Sequence, residues 1–174
     1  MANTYTLIAS NTISSSGTRV VTFTSIPATY TDLLLRVSAR SDTAATIVQG
    51  YFWIAYPAAG TGSSKRLIGS GSAASSVTFS SGSYQVFQTS DIPAASSTSN
   101  TFGSIDCYIP NYLSSNNKSV SVDGVTENNA TAAYAELTAG LINTTSAITA
   151  ISFEASSGNL VNNSTFYLYG IKNS

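Results

Sequence analysis

The chain has 174 residues, 43% of them hydrophobic and only 9% charged, with a formal net charge of −1. That composition supplies apolar material for one core and lacks the low hydrophobicity and high net charge of a disordered chain. With a pI near 5.1 there is no basic field to attract a phosphate backbone, so no nucleic-acid partner is expected. No apolar run approaches the about 20 residues of a membrane-spanning helix, and MANTYTLIASN lacks the basic start and apolar stretch of a secretory leader.

Most of the chain alternates apolar and polar residues with period two between Ser/Gly/Asn clusters. This predicts an all-β, antiparallel two-sheet sandwich forming a single domain over 1–174. Strands are expected over 5–10, 19–25, 33–40, 48–56, 65–69, 77–79, 84–89, 103–108, 118–122, 148–154 and 165–171. Loops are expected at SSSG before Thr18, at PAAGTG (57–62) and at ASSG (155–158). In the third strand, alternation puts Leu33, Leu35, Val37 and Ala39 on a core face. It puts Asp32, Leu34, Arg36, Ser38, Arg40 and Asp42 on the other.

Further along, GTGSSK (60–65) has only the composition of a phosphate loop and reads as a flexible connection. Asp123-Gly124 is a favoured pair for a tight turn, which predicts a hairpin within 119–127. AAYAELTAGL (132–141) is the one window with helical character, although Gly140 and its β-rich surroundings leave it open to a strand.

The chain has no histidine and a single cysteine, Cys107. The usual nucleophilic triads therefore lose their proton-transfer group, and an internal disulfide is excluded. Cys107 lies in the alternating SIDCYIP and reads as a small core residue, while Asp106 faces the opposite way as a solvent-facing or hydrogen-bonded strand residue. Lys65, Lys118 and Lys172 sit in ordinary surface contexts, and DGVTENN (123–129) lacks the spacing of a calcium loop. A carboxylate-pair glycosidase stays formally open. No catalytic residue, cofactor or metal ligand is assigned.

Two groups stand out as candidate protein contacts. Asp32, Arg36, Arg40 and Asp42 place four of the fifteen charged side chains within eleven residues. Positions four apart along a strand are about 13 Å apart, so their partners come from neighbouring strands or from another subunit. The reading is open between a solvated face with cross-strand ion pairs and an arginine row that touches another protein. The second group is Tyr51, Trp53 and Tyr56, with Phe52 among them; it reads as core alternating with subunit interface, or as aromatic platforms for sugar.

Three segments, TFTSIPATYTDLLLRVSARSD (22–42), NTFGSIDCYIPNYLSSNNKSVSVDGVTENN (100–129) and ITAISFEASSGNLVNNSTFYLYGI (148–171), together resemble small structural proteins of tailed, mostly marine, phages. The chain departs from that group over 48–99, where YFWIAYPAAG stands in place of an Asn/Gly/Asp-rich loop. The resemblance implies a jelly-roll-like virion protein without enzymatic activity. Its leading form is a capsid decoration (cement) protein, assembled in the host cytoplasm and bound to the major capsid protein as a homotrimer. The alternative is a tail- or head-fibre module that binds host-surface carbohydrate.

Overall fold

The core face expected along β3 (Asp32–Ala39) is realised: Leu33, Leu35, Val37 and Ala39 are all buried. On one side of β3 lies β12 (Thr165–Ile171), contributing Phe166 and Leu168; on the other lies β8 (Gly103–Ile109), contributing Ile105, Cys107 and Ile109. Leu35 stands opposite Leu168 and Cys107 in register, so the apolar positions of three strands form one continuous surface. A second sheet presents Val21 and Phe23 from β2 (Val20–Phe23), Phe52 and Ile54 from β4 (Ile47–Ile54), and Ile151 and Phe153 from β11 (Ile151–Ala155). Phe153 links the layers: its ring meets Phe52 edge-on at 5.3 Å and leans on Phe166 of the first sheet at 5.6 Å.

The computed structural model describes residues 4–15, 17–54, 61–70, 73–81, 86–127 and 133–172, and among these there are twelve strands and no helix. The remaining strands are β1 (Tyr5–Thr12), β5 (Thr61–Ser70), β6 (Ala73–Ser81), β7 (Val86–Pro93), β9 (Lys118–Glu127) and β10 (Ala133–Asn143). Sheet orders are β1-β12-β3-β8-β9-β10-β5-β6 and β2-β11-β4-β7, with antiparallel pairing. Set aside the pairs β5–β6 and β9–β10 and the remaining eight strands have the connectivity of a jelly roll, two four-stranded sheets between which the chain crosses at every connection except β4 to β7. The two extra pairs continue the first sheet past β8. Their inner face is covered by β7, which packs across β9, β10 and β5.

Three expectations are corrected here and one open reading is resolved. Asp123-Gly124 is not a turn: both residues lie inside β9, where Gly124 pairs with Ile105 and with Glu136. A Cβ at Gly124 would overlap the side chain of Ser90 on β7, so this glycine is used for close approach of a crossing strand. Pairing of Glu127 with Ala133 puts the chain reversal after position 127. GTGSSK is not a free connection either, since 61–65 open β5 and are held by ladder pairing from Thr61↔Asn143 to Lys65↔Ala139; positions 57–60 lie outside the described residues.

Of the window at 132–141, residues 133–141 fall in β10, which pairs on both sides, its alternation sending Glu136, Thr138 and Ile142 inward. Lys118 is no surface lysine. It shares the inward phase of β9 with Val120 and Val122 and is 2% exposed. Its ammonium donates to the carbonyl oxygens of Ser114 (2.7 Å), Asn116 (3.0 Å), Thr144 (3.1 Å) and Ser146 (2.7 Å). Burial pulls its pKa below the ordinary lysine value, while four carbonyl acceptors favour the charged form.

Candidate functional site

The charged run at 32–42 separates into three kinds of contact. Arg36 is exposed and lies directly across from Asp106 in register, with Nε donating to Oδ1 at 2.8 Å and Nη2 to Oδ2 at 2.6 Å. This two-pronged bond raises the guanidinium pKa above its ordinary value. The partner thus comes from a neighbouring strand.

Asp32 and Arg40, expected on an open charged face, are instead buried at the two ends of β3. Loops fold over both ends. Asp32 accepts hydrogen bonds from the Tyr108 hydroxyl (2.8 Å) and from the backbone N–H of Asn111 (2.8 Å), which anchors the turn after β8 where Asn111 adopts a φ of 48°. The bond to Asp32, with some desolvation, pushes the Tyr108 hydroxyl up to about 12. Arg40 donates to the carbonyls of Thr98 (2.7 Å), Thr101 (3.1 Å) and Ser97 (3.1 Å), and so gathers the loop that leads into β8. Asp42 accepts the backbone N–H of Asn159 at 2.7 Å and braces the turn before β12. Of the four, Arg36 is the one that belongs to the outer face of the sheet.

That face is sparsely charged. One cross-strand row runs Leu7–Tyr169–Leu34–Tyr108; a second runs Tyr167–Arg36–Asp106–Asp123–Leu137–Leu67. Leu7 (50%), Leu67 (52%), Leu137 (56%), Leu141 (47%) and Val125 (49%) are all largely open to solvent. Tyr167 and Tyr169 stack at a ring separation of 6.5 Å. Leu67, Leu137, Leu141 and Val125 sit on the strands that widen the jelly roll, and leaving 132–141 open between helix and strand obscured Leu137 and Leu141. Period-two alternation of Leu137, Ala139 and Leu141 against Glu136 and Thr138 is the signal that finds them.

The aromatic group also divides. Phe52 is fully buried core, whereas Tyr51 and Trp53 lie half-buried on the outer side of β4, with the Tyr51 hydroxyl donating to Gln49 Oε1 at 3.0 Å. Tyr56 lies outside the described residues. Trp53 faces a hollow of about 360 Å³ lined also by Val20, Thr22, Ser152 and Glu154. Neither sequence neighbourhood nor spacing points to this grouping, because β2 and β11 supply the other four residues.

Cys107 is buried, and desolvation, followed by the nearby Asp106 charge, drives its thiol pKa far above the ordinary value, so the thiolate is disfavoured. Among the described residues no three His, Cys, Asp or Glu side chains gather as a metal site would require. Compared with protein-family models, curated proteins and solved structures, the chain matches none.

Proposed function

We propose that this chain is a virion structural protein of a tailed phage: a capsid decoration (cement) protein that self-associates as a trimer and binds the outer surface of the major capsid shell. The observation that carries the reading is the outer face of the eight-stranded sheet. There, exposed leucines and tyrosines surround the Arg36–Asp106 pair. Exposed apolar patches on otherwise polar surfaces mark contact sites, and aromatic residues with arginine are enriched at such contacts. The three phage-like segments described above give the reading its biological class. They also carry much of β3, β8, β11 and β12.

The test is a Leu67→Asp/Leu137→Asp double variant, assayed for oligomeric mass and for retention on capsids that lack the native protein. Normal folding with lost self-association or lost retention supports the proposal. Unchanged mass and unchanged retention refute this face as the contact. Imaging the particle separates the proposed shell location from the fibre alternative, because a decoration protein is present in hundreds of copies and a fibre module in tens.

A further inference from the structure

The outer face of the four-stranded sheet points away from the leucine-rich face, because the shared core lies between them. A molecule attached through one face therefore leaves the other free. Two cross-strand rows meet there, Thr22–Ser152–Trp53 and Val20–Glu154–Tyr51. All of these residues but Tyr51 line the hollow of about 360 Å³, which falls within the roughly 300–1,000 Å³ of small-ligand sites.

Its lining has two characters. Trp53 and Val20, the latter 40% exposed, are apolar. Thr22 and Ser152 present hydroxyls 2.9 Å apart, and Glu154 adds a carboxylate beside them. Glu154 Oε1 lies 3.0 Å from Arg19 Nε, and Arg19 also donates to the carbonyls of Ala155 (2.9 Å) and Ser156 (2.9 Å). The carboxylate is thus held in place and its charge is balanced. The Glu154 side chain is 17% exposed, open enough to receive a hydrogen bond from a ligand.

We propose that this hollow is a binding subsite for a neutral pyranose. A hexose ring has an apolar C–H face bordered by hydroxyls, and this is the complement of an indole next to fixed acceptors. In the proposed pose the ring lies on Trp53, one hydroxyl donates to Glu154 Oε2, and a second exchanges hydrogen bonds with the Thr22–Ser152 pair. An anionic ligand would meet the carboxylate, and a cation would have to compete with Arg19 for it. A wholly apolar ligand would strip water from the hydroxyls without replacing its hydrogen bonds. The inference is independent of the proposed assembly role.

Trp53 is the chain's single tryptophan, so intrinsic fluorescence reports on this hollow directly. The intact protein is titrated with methyl glycosides of glucose, galactose, mannose and N-acetylglucosamine, with glucuronate as the acidic probe. A saturable emission change with at least one neutral glycoside is expected. Glu154→Gln should weaken that binding roughly tenfold, the loss of one charge-assisted hydrogen bond. Thr22→Val, on the exposed edge, provides a second variant, and its unfolding midpoint is checked against the parent. Saturation-transfer NMR on Trp53→Ala should show no contact with the same glycoside. The proposal is overturned by an absent response to every neutral probe at tens of millimolar. It is equally overturned by preference for glucuronate, or by full binding to Trp53→Ala.

Discussion

Replacing Lys118 by Met would test how a chain with so few charges uses one of them indoors. Methionine preserves most of the buried apolar stem, so cavity formation contributes little. What disappears is an ammonium whose three protons are shared by four carbonyl oxygens. Two of those carbonyls belong to the loop before β9 and two to the loop after β10, so the substitution unfastens both loops together. Hydrogen bonds from a charged donor contribute about 1.5 kcal/mol or more each, but these loops can readmit water, which places the net loss at about 3 kcal/mol. Urea unfolding followed by circular dichroism measures it as a lower midpoint at constant slope. Hydrogen exchange should quicken at Ile148, whose N–H is bonded across to the Tyr112 carbonyl. A loss below about 0.5 kcal/mol would refute the reasoning, because exposed ion pairs alone reach that level.

Gly124→Ala should destabilise by about 1–3 kcal/mol through overpacking against Ser90; the companion Ser90→Gly should recover part of it, and a neutral Gly124→Ala in thermal unfolding would contradict the close approach of β7. Arg40→Ala should cost several times as much stability as Arg36→Ala, which should stay within about 1 kcal/mol, because Arg40 alone of the two is buried among backbone carbonyls; equal midpoints in denaturant would reverse this assignment. The Tyr108 hydroxyl is raised from its ordinary value of 10 to about 12, chiefly by its bond to Asp32. Its contribution is complete below pH 10 and disappears as pH rises through about 12. Tyr108→Phe should flatten stability over that interval, and an identical alkaline profile in the variant would count against the bond.

Residues 33–39 were legible from sequence because one side of β3 faces a core and the period of a strand is two, so facing follows from spacing alone. Gly124 was misread for the converse reason. A turn signal is local, whereas the need for glycine comes from Ser90 on a strand that crosses from the other sheet. The chemistry of Asp32, Arg40 and Asp42 was visible but their purpose was not. Their partners, Tyr108, Asn111, Thr98, Thr101 and Asn159, are distant in the chain. Trp53 shows the same limit: alternation separates it from buried Phe52, but the hollow exists only once β2 and β11 lie beside β4.

The widened sheet also bears on how the molecule reaches its native state. Within each added pair, β5 with β6 and β9 with β10, the partners are close in sequence and can zip early. Joining the pairs through β10 and β5 brings together residues roughly 60 to 80 positions apart, which is slow because loop closure precedes any reward. Until that seam closes, β10 and β5 each present an unpaired edge, and Ser/Gly-rich 61–64 is poorly equipped to reject a wrong strand. The β10–β5 seam is therefore one place where a folding chain is open to pairing with a second molecule.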